Sequence, residues 1–179
     1  MSNSTKSSRF EEEVTQHLNA AYNLARWLTR NTQDAEDVVQ EAFLRAYKYF
    51  DGFHGGNVKS WLLTIVRNTC YTWLQQNRSH DATTVSDEEL SEFESKDINP
   101  EAMLIQEANK ETIHRALESL PIEYREILIL RELEDLSYKE IADVAELPVG
   151  TVMSRLARAR KRLQQSLLES SVREAGNGK

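Results

Sequence analysis

The densest chemistry in the chain lies between Ser137 and Leu163, SYKEIADVAELPVGTVMSRLARARKRL. From Thr151 to Arg162 five residues are basic (Arg155, Arg158, Arg160, Lys161 and Arg162) and none is acidic. Guanidinium and ammonium groups on one helix bind phosphate oxygens, and arginine also pairs with guanine edges. At about 100° per residue, Val152, Leu156, Ala159 and Leu163 fall on one side as a buried seam. Ser154, Ala157, Arg158 and Lys161 face the opposite way. Arg155 and Arg162 flank them on one edge, Met153 and Arg160 on the other. A helix of this kind suits the DNA major groove, where outward side chains meet base edges and flanking ones meet phosphates. The candidate contacts are Thr151, Met153, Ser154, Arg155, Ala157, Arg158, Lys161 and Arg162. The plain alternative is a helical hairpin with a solvated basic face. The chain is acidic overall, yet residues 151–179 carry seven bases against two acids. That concentration favours nucleic-acid binding.

Two elements must position this helix. Ser137 with Glu140 reads as a capping box opening a helix whose apolar face is Ile141, Ala142 and Ala145. Pro148 and Gly150 break it, Leu147 and Val149 are expected to plug the corner, and Thr151 is expected to cap the second helix. The pattern is a helix-turn-helix.

The rest of the chain narrows the class. It has 179 residues, 40% apolar and 28% charged, the balance of a globular protein with one or two small cores. Glycine and proline are scarce and no stretch alternates apolar with polar, so an all-α fold is expected. No apolar run approaches the roughly 20 residues of a membrane helix, and MSNSTKSSRFEEEV lacks the apolar core of a signal peptide. The expectation is a cytoplasmic protein without membrane insertion. A single cysteine, Cys70, excludes an internal disulfide framework. His17, His54, His80 and His114 form no ligand spacing. Asp34, Glu36, Asp37 and Glu41 fit a helix amino end as well as a cation. No cofactor is expected, and enzymatic function is the least favoured reading.

In chain order, residues 1–8 are polar and expected to be disordered. Phe10, Val14, Leu18, Ala21, Tyr22, Ala25 and Leu28 then recur at helical spacing. Asn31 and Thr32 interrupt, and Asp34 can cap the next helix. Its apolar face is Ala35, Val38, Val39, Ala42, Phe43, Ala46, Tyr47 and Phe50. A glycine-rich turn, residues 51–57, leads to a third helix from about Val58 to Asn77, with Trp61, Leu62, Ile65, Val66, Thr69, Trp73 and Leu74 as its buried side. These three helices predict a first domain at 9–78. Residues 79–99 read as a flexible acidic linker: residues 81–105 hold eight acids and only Lys96 as a base. Asn99-Pro100 opens a further helix to about Leu120. Pro121 separates it from one carrying Ile127, Leu128, Leu130 and Leu133, and the second domain is expected at 100–170.

Two small helical domains, an acidic linker and a C-terminal helix-turn-helix resemble bacterial RNA polymerase sigma factors of the extracytoplasmic-function (group IV) type in the sigma-70 family. The resemblance rests on DAEDVVQEAFLRAY at 34–47, WLLTIVRN at 61–68, ALESLP at 116–121 and SYKEIADVAELPVGTVMSRLARAR at 137–160. It implies sigma regions 2 and 4 and nothing structured between them. It also implies core RNA polymerase as partner, through the β′ clamp helices and the β flap, together with promoter DNA and an anti-sigma factor. The clamp-binding face would be Asp37, Gln40, Glu41 and Arg45. The −10 element would meet Phe53, His54, Gly55 and Asn57, with Lys59, Arg67 and Asn68 along the melted strand. The −35 element would meet the basic helix. The linker, by this resemblance, threads the basic cleft of the polymerase as a phosphate mimic. Several positions depart from the family pattern. QQNR at 75–78 replaces a basic cluster, Thr72 stands where Asp is frequent, Met153 where Lys or Arg is usual, and Ala157 where a bulky residue is common. A stand-alone helix-turn-helix regulator is the competing reading, with the first domain as a sensor.

Overall fold

The computed structural model describes residues 2–77 and 110–176, and among them every regular element is helical. Helix α1 spans Ser2–Val14 and runs through a 3₁₀ turn, Thr15–His17, into α2, Leu18–Thr29. Then come α3, Thr32–Tyr49, and α4, Val58–Gln76. After residue 109 follow α5, Lys110–Ser119, α6, Ile122–Leu128, α7, Tyr138–Ala145, and α8, Val149–Gly176. A π-helical turn, Ile129–Leu133, continues α6. Contacts divide the chain into two compact units. One is built from described residues of Met1–Ala82 and Ile129–Val149, the other from those of Thr83–Leu128 and Gly150–Lys179.

In the first unit α2, α3 and α4 pack on one another. Their seam is rich in small residues: Ala21, Ala25, Ala35, Ala42 and Ala46 are fully buried, with Leu24, Leu28, Val38, Leu62, Leu63, Val66 and Cys70 between them. Alanine lets helix backbones approach closely, and the buried leucines fill the space between them. The N-terminus is ordered differently from the sequence expectation. Residues 2–8 belong to α1 instead of being disordered. Phe10 meets Phe43, Tyr47 and Phe50 edge-on at 6.2, 5.2 and 5.4 Å. The helix extends back to Lys6, whose ammonium bonds Asp51 Oδ2 at 2.7 Å and lies 4.8 Å from the Tyr47 ring.

Other local expectations are corrected by capping and packing. Asn31, not Asp34, caps α3: its side chain accepts from the Asp34 N–H at 3.0 Å. Leu18 stands 46% exposed, because the 3₁₀ turn before it shifts the helical register. The π turn does the same to Leu133, which is half exposed. Helix α8 begins at Val149, directly after Pro148. Gly150 and Thr151 therefore lie within its first turn, neither a break nor a cap, and Val149 is exposed and plugs nothing. Trp61, Ile65, Trp73 and Leu74 are only half-buried, whereas Leu63 is fully buried. Linker residues 79–99, Arg78 and the Asn99-Pro100 helix start lie outside the described residues.

In the second unit Arg125 organises the α5–α6 corner. It is buried, and its Nη1 donates to the carbonyl oxygens of Glu118 at 3.2 Å and Leu120 at 2.7 Å. Carbonyl oxygens at a helix carboxyl end have no partner within the helix itself. Replacing Arg125 with Ala should lower stability by about 2–3 kcal/mol, seen as a lower urea midpoint with an unchanged slope.

Candidate nucleic-acid and polymerase interfaces

The amino end of α4 is built by its turn. After the short 3₁₀ segment Phe50–Gly52, Gly55 and Gly56 take φ of +88° and +100°, which side-chain-bearing residues rarely adopt. A Cβ at either position would meet nothing within 4 Å, so conformation and not crowding requires glycine. The turn delivers Asn57 as N-cap of α4, accepting from the Ser60 N–H at 3.2 Å. Phe53 is half-buried, its ring 5.0 Å from Trp61, while His54, Gly55 and Asn57 are exposed.

The structure places the candidate donors of this end against two glutamates from the segment before and inside α7. Lys59 Nζ lies 3.2 Å from Glu134 Oε2 and donates to the Glu134 carbonyl at 2.9 Å. Asn23 Nδ2 donates to Glu134 Oε1 at 2.9 Å. Glu140 Oε2 accepts from Asn57 Nδ2 and, at 3.2 Å, from Ser60 Oγ. The same Glu140 closes the expected capping box: Ser137 N–H donates to Oε1 at 3.0 Å, and Glu140 N–H donates to Ser137 Oγ at 3.1 Å. Arg131 holds the intervening turn. Its Nη1 donates to the Leu136 carbonyl at 2.8 Å and its guanidinium lies over the Tyr138 ring at 4.8 Å. The hydrogen bonds from Ser137, then those from Ser60 and the charge of Lys59, hold the Glu140 carboxyl below its ordinary range. Burial, and secondarily Lys59, push the His17 imidazole down.

Further along α4, Arg67 Nη1 donates to Asn68 Oδ1 at 3.3 Å, and its guanidinium lies 4.1 Å from the Tyr71 ring. On α3, Asp37, Gln40 and Glu41 are exposed, and half-buried Arg45 bonds Glu41 at 2.6 Å. Among them stands Leu44, 73% exposed, which the sequence reading passed over. Its signal was available: Leu44 lies about 200° around the helix from the buried Ala42.

On α8 the expected seam of Val152, Leu156, Ala159 and Leu163 is buried and continues to Leu167. Met153 and Ser154 are exposed; Thr151, Arg155, Ala157, Arg158, Lys161 and Arg162 are half-buried. Ser154 Oγ donates to the Thr151 carbonyl at 3.1 Å. Arg162 lies 5.4 Å from the ring of Tyr124, whose buried hydroxyl has no hydrogen-bond partner among the described residues. Burial raises the Tyr124 pKa against the opposing pull of Arg162, Arg158 and Arg155. Among the described residues no cluster of histidine, cysteine or carboxylate side chains could hold a metal ion, and no helix is long and apolar enough to cross a membrane.

The chain is similar to known proteins over both parts. Residues 14–80 match the model of sigma-70 region 2, and residues 110–163 match that of sigma-70, region 4. The ECF RNA polymerase sigma-E factor of Escherichia coli K12 is 41% identical over 141 residues, 75% of this chain and 74% of that protein. The chain belongs to the extracytoplasmic-function group of the sigma-70 family. The RNA polymerase sigma-H factor of Pseudomonas aeruginosa is 38% identical over 152 residues, 81% of this chain and 78% of that one. Among solved structures, the sigma factor RpoE of Bartonella quintana, in complex with the anti-sigma factor NepR, has a TM-score of 0.68 at 31% identity. The match covers 89% of this chain and 96% of that one. CnrH in complex with the cytosolic domain of CnrY has a TM-score of 0.63 at 26% identity, over 90% and 88% of the two chains. In this sigma factor the clamp-face and loop candidates fall inside the region 2 match, and Thr151–Arg162 falls inside the region 4 match. The family is one of non-catalytic initiation factors.

The capping box gives a pH signature. Glu140 has a depressed carboxyl pKa, so its contribution to stability is present above the ordinary carboxylate range and is lost as pH falls through its folded value. Ser137→Ala should cost about 1 kcal/mol near neutral pH. The gap between wild type and Glu140→Gln in urea unfolding should shrink as pH drops through the acid range. A gap independent of pH would remove the carboxylate from the cap.

Proposed function

We propose that this sigma factor binds core RNA polymerase through α3, opens and holds the −10 element at the turn before α4, and reads the −35 element with α8. The single observation that carries this reading is the presence of regions 2 and 4, in order, in one chain whose region 4 ends in a helix-turn-helix with a basic face. The functional modules follow chain order: 9–78 for polymerase and −10 contacts, 79–99 as acidic linker, 100–170 for −35 contacts. The β′ clamp helices meet Asp37, Gln40, Glu41 and Arg45, with Leu44 as the apolar centre of that patch. A mixed-charge rim around one exposed leucine suits a specific protein contact. Region 4 also engages the β flap. The linker lies in the basic cleft. The protein works in the cytoplasm, where its polymerase is, and carries no catalytic activity of its own.

An anti-sigma factor holds the protein until a signal releases it; the solved relatives captured with NepR and with CnrY support this. A stand-alone regulator would need no polymerase-binding region, and the region 2 match across 14–80 favours the sigma reading over it.

Reconstitution with core polymerase tests these assignments. Asp37→Arg with Glu41→Arg should leave the circular dichroism spectrum and melting temperature nearly unchanged and abolish co-purification with core polymerase. Retained binding would move the interface off this face. Arg158→Ala should weaken promoter use by about 1–3 kcal/mol and relax −35 preference. Wild-type transcription from every promoter by that variant would contradict the docking register of α8.

A further inference from the structure

The donors at the amino end of α4, Asn57 and Lys59 of the −10 assignment and Ser60 beside them, are already occupied. Asn57, Ser60 and Lys59 end in an amide, a hydroxyl and an ammonium, which single-stranded DNA would meet with phosphate oxygens and base acceptors. In this structure they meet the carboxylates of Glu134 and Glu140 and one backbone carbonyl. All five residues belong to the same compact unit, and α7 packs on α4. The Glu134 side chain is only 8% exposed and has a second anchor in Asn23, so its place is built and not incidental.

We propose that Glu134 and Glu140 are an internal substitute for promoter DNA, closing the −10 site of the unbound chain until polymerase and promoter draw region 4 away. The inference rests on the assignment of Asn57 and Lys59 to the −10 element. Geometry carries the rest. Glu140 sits in the first helix of the helix-turn-helix, eleven residues before Thr151, and chain connectivity alone keeps the two within about 40 Å. Positions −10 and −35 are about 25 base pairs apart, about 85 Å along duplex DNA at 3.4 Å per pair. No protein can keep Glu140 bonded to Asn57 while one occupies the −35 element and the other the −10. The bonds of the structure therefore describe a state that promoter binding must break. Residues 78–109 number 32 and can span roughly 105–115 Å when extended, enough for the separation. Both acids offer the DNA-like partner without DNA: oxygen acceptors bearing negative charge.

Two assays separate the possibilities. The first measures anisotropy of a fluorescein-labelled pool of random 12-nucleotide single-stranded DNA against the full chain without polymerase. Closure lowers apparent affinity by the fraction of open chain. Glu134→Gln with Glu140→Gln should bind about fivefold tighter or more than wild type, with the capping box kept because glutamine also serves at that position. Asp135→Asn with Asp143→Asn removes the same charge from exposed positions and should give no such gain. Asn23→Ala, which removes one anchor of Glu134, should show a smaller gain and guards against a double variant that fails to fold. Adding Asn57→Ala and Lys59→Ala should abolish the gain. The second assay is transcription with saturating core polymerase. There the double glutamine variant should match wild type, while Asn57→Ala with Lys59→Ala should be impaired. Unchanged single-strand affinity in both the double glutamine variant and Asn23→Ala overturns the inference. A gain matched by the Asp135/Asp143 control overturns it too. Full transcription by Asn57→Ala with Lys59→Ala overturns instead the −10 assignment on which it stands.

Discussion

The donors at the amino end of α4 can satisfy one set of acceptors at a time. Asn57 spends its amide oxygen on capping α4, so only its nitrogen remains for a partner, and that nitrogen points to Glu140. Glu140 likewise spends one oxygen on the start of α7 and offers the other to Asn57 and Ser60. Two helix starts thus share their capping residues. Each cap is local, worth about a kilocalorie per mole, and survives alone; the link between them is what a competing ligand can replace.

Everything around this link keeps it in place. The alanine seam of α2, α3 and α4 fixes the direction of α4. The two left-handed glycines, Gly55 and Gly56, turn the chain so that Asn57 arrives in an extended conformation fit to cap. On the other side the π turn Ile129–Leu133 and Arg131 set the segment from which Glu134 and Glu140 project.

Much of this was legible in the sequence because it is local. The capping box at Ser137 and Glu140, the seam of α8 and the span of α4 all depend on spacings of three or four residues, and the structure has them as read. Two kinds of feature escaped. Small register changes, the 3₁₀ turn at Thr15–His17 and the π turn at Ile129–Leu133, expose Leu18 and Leu133 although their spacing is apolar and helical. They have no composition signature, since tertiary packing sets them. The second kind is contact at long range. Asn57 and Glu140 are 83 residues apart, and Lys59 and Glu134 are 75 apart. Asn57 and Lys59 were already accounted for as −10 contacts and Glu140 as a capping glutamate, so nothing in the chain alone joined them. Lys6 and Asp51 illustrate the same limit, and with it the order of residues 2–8. Leu44 was overlooked for a different reason: a single leucine on a polar face is ordinary unless its neighbours are known to be a docking patch.

One patch serves two partners in turn, carboxylates of the chain itself and then the promoter. A distance reports it directly. Donor and acceptor dyes on Glu12→Cys and Asp143→Cys, both exposed positions, leave the buried Cys70 in place. The unbound chain should give high energy transfer, and addition of core polymerase and promoter DNA should bring transfer close to baseline, as expected for elements placed at −10 and −35. The same high transfer in the promoter complex as in the unbound chain would contradict the account.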